Sequence, residues 1–261
     1  MSLSPRDEIL NRLRTTLASP VMRFPPPETR RLTAADRMTV GRAEGDRWAL
    51  ARRFGAELER LHGTFEIVET VAEARMAAIG RLQSWVAEDL AARRTEHPEQ
   101  PGDRDVVIWS PEELPIDGLT PALTDLEFQL IEPVNLHDSD ERERIRHARS
   151  GITGADAAFA ATGTVVLGAG PHKSRAASLT PFRHLLLVPI SRIYPTAEAW
   201  MAKMRQDGTL ADFLRESRNV VLVSGPSKSA DLEGILTMGV HGPKVVHAVI
   251  FDDIEAMIRG Y

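Results

Sequence analysis

Apolar positions recur with a helical period along the first part of the chain. Ile9, Leu10, Leu13 and Leu17 fall on one face of a helix over residues 5–18, which Pro20 ends. Phe24-Pro25-Pro26-Pro27 follows as an extended arm, because successive prolines fix φ and exclude helical neighbours. From Gly41 the spacing of Ala51, Phe54, Leu58 and Leu61 predicts a second amphipathic helix, closed by Gly63. Thr64–Val68 alternates as a strand does. A long helix from about Val71 to Arg94 then buries Ile79, Leu82, Val86 and Leu90. The polar run Arg93–Arg104, with Pro98, Pro101 and Gly102, reads as a loop, and Val106–Trp109 as a strand covered on both faces. A short helical turn near Thr120 leads into a strand over Asp125–Val134. Residues 138–149 predict a helix with Asp138 and Glu141 in a capping box, and the pairs Asp140–Arg144 and Glu143–His147 give it a solvated face.

The second part is denser in small residues. Gly151–Asp156 reads as a turn feeding a short helical segment through Ala161, after which Thr162-Gly163-Thr164 turns into the strand 165–167. His184–Val188 is a buried strand stopped by Pro189, and Thr196 caps a helix through about Arg205. A shorter helix over Asp207–Arg218 precedes the apolar strand Asn219–Val223. Residues 230–238 read as a helix ending at Gly239, and His247–Phe251 as a last strand. Strands alternating with helices imply an α/β protein with a largely parallel, doubly wound sheet, whose ligands bind beyond the carboxyl ends of the strands. The domain reading is a helix and arm over 1–40 and an α/β domain over 41–261.

Composition narrows the function classes. No apolar run approaches the ~18 residues of a membrane helix, and the first residues lack the basic and apolar stretches of a secretory signal. A cytoplasmic protein without membrane insertion is therefore expected. The net charge of -5 and the lack of a long basic stripe disfavour nucleic acid. The chain contains no cysteine, which excludes disulfides, thiolate zinc sites, cysteine catalysis and cysteine-ligated iron–sulfur clusters. No HExxH, paired histidine cluster or acidic calcium loop occurs, so neither a metal nor another cofactor is expected on this chain.

Candidate chemistry gathers in three glycine-bearing loops, Gly151–Thr164, Ser224–Ser229 and Gly239–Pro243, read as walls of one cleft. In Gly151–Thr164, Thr153 and Asp156 are cap residues beside N–H groups that can hold an anion, and the same small residues suit a tight corner. Gly168-Ala169-Gly170 starts a dinucleotide fingerprint, but Lys173 stands at its third glycine, so that reading fails. The loop that follows carries Lys173 and Arg175, cations suited to a phosphate or carboxylate or simply exposed. Ser224-Gly225-Pro226-Ser227-Lys228-Ser229 meets neither the nucleophile-elbow nor the phosphate-loop pattern. It remains an anion-binding corner at a helix start, with Asp231 either catalytic or answering the helix dipole. His241, between Gly239 and Gly242, suits acid–base work near neutral pH or holding its turn.

Five motifs occur together and in order over roughly 151–251: Gly151-x-Thr153-Gly154-Ala155-Asp156, Thr162-Gly163-Thr164, Ser178-Leu179-x-Pro181, Ser224-Gly225-Pro226-Ser227 with Ala230-Asp231, and Gly239-Val240-His241-Gly242-Pro243. This set resembles the lactate utilization protein C family, built on the LUD domain. The resemblance implies a fold related to the ribose-5-phosphate isomerase, glucosamine-phosphate isomerase and CoA-transferase group. It also implies a part in oxidising L-lactate to pyruvate with iron–sulfur partner proteins, which suits a cluster-free chain, and it leaves a homo-oligomer open. Ala161 stands where relatives commonly have glutamate, and Lys228 where arginine is usual. The resemblance brings no catalytic residue, so its motif residues are carried over as a candidate site only. The catalytic candidates are Asp156, Asp231 and His241. The ligand-binding candidates are Gly151, Thr153, Gly154, Thr162, Gly163, Thr164, Lys173, Arg175, Ser178, Ser224, Gly225, Ser227, Lys228 and Gly242. The other reading is a stand-alone enzyme or binding module for a phosphorylated or CoA-linked metabolite.

Overall fold

Parallel strands need long crossovers, and the helical segments between the strands supply them. The computed structural model describes residues 4–18, 43–93, 102–230 and 236–254. It divides into two units, Met1–Val40 and Gly41–Tyr261. In the first, helix α1 (Pro5–Ala18) exposes Ile9 and Leu13 of its apolar face. The proline arm at 24–27 lies outside the described residues.

The second unit is built on a six-stranded, wholly parallel sheet flanked by helices. Its strands are β1 (Thr64–Val68), β2 (Asp105–Ile108), β3 (Gln129–Ile131), β4 (Ser150–Thr153), β7 (Arg183–Pro189) and β12 (Val245–Phe251), in the spatial order β1-β12-β7-β4-β2-β3. Helices α2 (Arg47–Arg60) and α3 (Val71–Ala92) bury Phe54, Leu58, Leu82 and Trp85 in the core. Strands β7 and β12 read as near-continuous apolar runs because both faces are covered. A smaller sheet pairs β5 (Ala157–Phe159) and β6 (Thr164–Ala169) with β8 (Ile193–Tyr194) and β9 (Asn219–Val223), in the order β8-β5-β6-β9. Helices α7 (Ala197–Asp207) and α8 (Leu210–Glu216) contribute Trp200 and Phe213 to its core, with ring centroids 5.8 Å from Phe159 to Trp200 and 5.5 Å from Trp200 to Phe213. Val220 and Leu222 of the edge strand β9 remain exposed. Among the described residues no helix is long and apolar enough to cross a membrane.

Four local expectations change. Residues 151–161 hold two strands, β4 and β5, where the sequence suggested a turn and a helix. Short runs of small buried residues carry no period that separates the two, and here pairing with β2, β7, β6 and β8 decides. The strand expected over 125–134 contracts to Gln129–Ile131, because helix α4 (Leu119–Asp125) absorbs its start. Glu141 does not complete a box with Asp138 at the head of α5 (Ser139–His147). Its carboxylate accepts from the N–H groups of Val134 and Asn135 instead. The reciprocal box belongs to α3, between Thr70 and Glu73. The helix expected over 230–238 is replaced at both ends by an antiparallel pair, β10 (Lys228–Ala230) and β11 (Leu236–Met238); residues 231–235, with Asp231, lie outside the described residues.

Gly151 shows why the sheet needs a small residue at its centre. Helix α6 (Ala176–Leu179) lies directly on β4, and a Cβ at 151 would stand 1.9 Å from the Ala177 carbonyl oxygen. The oxygen belongs to backbone and the Cβ position is fixed by backbone, so neither yields cheaply. The substitution Gly151→Ala is therefore expected to cost about 1–3 kcal/mol in urea unfolding, as overpacking does. Unchanged stability would show that α6 moves freely over the sheet.

Candidate functional site

The carboxyl ends of β2, β3 and β4 present a cluster of polar side chains. Asp156, just past β4, uses both carboxylate oxygens. One accepts from the Gly168 N–H at 2.6 Å and the other from Lys173 Nζ at 2.8 Å. Lys173 also reaches Glu113 Oε2 at 3.2 Å and lies over the Trp109 ring, 5.3 Å from its centroid. Burial works to lower the Lys173 pKa, but Asp156 and then Glu113 outweigh it, and the ammonium titrates above its ordinary value. Lys173 is thus a fixed cation near neutral pH and unsuited to base or Schiff-base chemistry. With two carboxylates against one ammonium, the trio does not attract an anion. It borders a cavity of about 130 Å³ between the Gly168–Gly170 segment and α8.

Beside the trio, Ser110 follows β2 and is buried. Its hydroxyl donates to the Glu132 carboxylate and lies 3.3 Å from His172 Nδ1, while its N–H donates to the His172 carbonyl at 2.9 Å. His172 and Glu132 are both exposed, so carboxylate, hydroxyl and imidazole form a chain across the sheet edge through the buried Ser110. Such a chain can pass a proton to or from a group bound at this edge. Sequence reasoning singled out none of Glu113, Ser110, Glu132 and His172. The available signal for Ser110 was its position directly after the apolar strand Val106–Trp109, at an edge where ligands of parallel sheets bind.

The sequence-predicted residues are distributed over separate places instead of one cleft. Asp156 and Lys173 meet at the carboxyl edge, and Arg175 and Ser178 line a narrow hollow beside Trp109 and Lys173. Thr153 sits in β4, where its hydroxyl meets the Nε2 of the buried His184 at 2.9 Å, so it caps no helix. Gly154 packs against Pro115 and Trp109. Thr162, Thr164 and Ser224 form a hydroxyl chain, 2.9 Å at each link. Gly163 (φ 62°) and Gly225 press on the backbone of α2 and of Leu61. This corner lies at the start of β6, about 13 Å along the strand from Gly168. Ser227 and Gly242 come together through backbone bonds from Ser227 N–H to Pro243 and from Gly239 N–H to Ser227. Lys228 begins β10, which removes the helix start expected there. His241 and Gly242 line a cavity at the opposite, amino edge of the sheet. Asp231 lies outside the described residues. Among the described residues, no group of three or more histidine, aspartate or glutamate side chains is placed to hold a metal ion.

The model of the LUD domain family matches residues 51–251. The chain is similar to "Lactate utilization protein C" of Exiguobacterium sp., 42% identical over 117 residues, which are 43% of this chain and 48% of that protein. It is also similar to "Lactate utilization protein C" of Halalkalibacterium halodurans, 33% identical over 159 residues, or 59% of this chain and 66% of that one. The match therefore spans about half to two thirds of these relatives' lengths. Among solved structures, a DUF162 family protein from Deinococcus radiodurans superposes with a TM-score of 0.50 at 21% identity, covering 80% of this chain and 99% of its own. That likeness concerns the fold.

Proposed function

The chain belongs to the LUD domain family, and from that premise we propose that it takes part in lactate utilization as a cluster-free subunit in the oxidation of L-lactate to pyruvate. The observation that carries this reading is the absence of cysteine in a chain whose relatives are named lactate utilization protein C. Oxidising lactate releases an electron pair and protons. A chain without cysteine ligates no iron–sulfur cluster by thiolate, so the electron pair is accepted by clusters on partner proteins. Its own contribution is then binding, orientation and proton handling. The Glu132–Ser110–His172 chain at the carboxyl edge is the element suited to the last of these. The work takes place in the cytoplasm.

Deleting the gene is expected to abolish growth on L-lactate while growth on glucose continues. Complementation with His172→Ala should restore growth poorly, and the wild-type chain should co-purify with iron–sulfur proteins. Undiminished growth of the deletion strain on L-lactate would sink the reading.

A further inference from the structure

At the amino edge of the parallel sheet, opposite the polar cluster, lies a cavity of about 700 Å³. Ligand pockets run from about 300 to 1,000 Å³, so a three-carbon acid would leave most of it empty. Three arginines, Arg93, Arg146 and Arg149, and two histidines, His147 and His241, face one carboxylate, Asp103. With the histidines neutral the lining carries 3 − 1 = +2 in a chain whose net charge is -5. Asp89 behind Arg149 and Glu143 beside Arg146 and His147 offset part of this charge, and the donors left over on the wall attract anions.

The cations differ in how far they are already engaged. Arg93 is held by Asp103, at 2.5 Å. Arg149 spends Nε and Nη2 on Asp89, at 3.2 Å each, and its Nη1 has no partner among the described residues. Arg146 is 76% exposed and only 3.5 Å from Glu143. His241 has no side-chain partner among the described residues and stands on an exposed turn. The remaining wall is apolar. Leu179 and Val240, two of the few large apolar side chains left exposed, line the same hollow, with Phe182 beneath Arg149 at 5.0 Å. Guanidinium groups recognise phosphate through paired N–H donors, and exposed aliphatic surface takes up the apolar part of an organic body.

We propose that this amino-edge cavity binds a phosphorylated organic anion of nucleotide size, its phosphates on Arg146, Arg149 and His241 and its organic part on Leu179 and Val240. The site is separate from the carboxyl-edge cluster, and the inference stands independently of the lactate reading. Isothermal titration of the full chain with ADP, GDP and coenzyme A, against inorganic phosphate, tests it. At least one of the three organic phosphates should bind about ten-fold or more tighter than phosphate alone. Arg146→Glu and Val240→Glu should each weaken that binding about ten-fold, whereas Lys203→Glu, the same charge change on α7, should leave it unaltered. Circular dichroism and melting of each variant confirm that it is folded. Absence of binding by all three compounds at about 5 mM, binding no tighter than phosphate, or binding that both cavity variants leave unmoved overturns the proposal.

Discussion

Replacing Arg183 by methionine is expected to destabilise the folded chain by about 3–5 kcal/mol, read from urea unfolding at pH 7. Arg183 opens β7 and is buried, yet it is charged. It donates through Nη1 and Nη2 to the two carboxylate oxygens of Asp89 on α3, at 2.6 and 2.9 Å. Its guanidinium also lies over the rings of Trp85 and Phe182, 5.7 Å from each centroid. Removing one partner leaves a buried carboxylate dependent on Arg149 alone, whose bonds to it are longer, at 3.2 Å. Leaving a buried charge under-compensated costs more than the pair itself contributes. The double variant Asp89→Leu, Arg183→Met should therefore recover most of the loss. A single variant costing under about 1 kcal/mol would show that the pair is solvated and only bridges the surface.

Acidification below neutrality is expected to destabilise the chain well before its carboxylates titrate. His184 is wholly buried in β7, with Nε2 against the Thr153 hydroxyl and no hydrogen-bond partner at Nδ1. Burial lowers its pKa from 6.5 to about 3. Between these values the unfolded chain holds a proton that the folded chain does not. Stability from this residue is therefore complete above pH 6.5 and is lost as the pH falls toward 3. The loss amounts to about 2 kcal/mol at pH 5 and about 3 kcal/mol at pH 4. His247 acts in the same direction, because burial and the nearby Arg81 lower its pKa despite its bond to Glu66. Asp89 adds a later loss, below the ordinary carboxylate range. Burial alone would raise its pKa, but the bonds and charges of Arg183 and Arg149 hold it down. Unfolding free energies measured at pH 7, 6 and 5 should fall, and His184→Gln should flatten the profile by about 2 kcal/mol in all between pH 7 and pH 5. An identical slope in wild type and variant would mean that His184 is protonated in the fold.

Much of the candidate site was hidden from the sequence because it is assembled from distant loops. Asp156 and Lys173 were each legible as polar residues on small-residue loops. Their pairing, and the addition of Glu113, depends on the carboxyl ends of the sheet bringing the segment after β2 beside the segments after β4 and β6. Once paired, Lys173 is no longer the free cation that its place in a flexible loop suggested. Likewise the motif Thr162-Gly163-Thr164 is a contact surface for α2, since a Cβ on Gly163 would stand 2.4 Å from the Leu58 backbone nitrogen. Its small residues answer the approach of a helix, and a one-dimensional pattern cannot separate that need from the approach of a ligand.

The sequence by itself determined the elements with a strong period or a long apolar run. Phe54, Leu58 and Leu82 mark the inner faces of α2 and α3, and His184–Val188 and His247–Phe251 the central strands. Amphipathic spacing and double-sided burial are local properties, read from a few neighbours along the chain. The absence of cysteine was equally plain and bounds the chemistry without reference to the fold. Only the tertiary structure decided that Gly151–Phe159 forms strands, that residues 228–230 pair with 236–238, and that the candidate loops separate to opposite edges of one sheet. Short segments of small residues lose little side-chain entropy and carry no period, so their conformation follows from the partners available to their backbone hydrogen bonds. Those partners lie five to ten residues away in the β5–β6 and β10–β11 pairs and tens of residues away for β4.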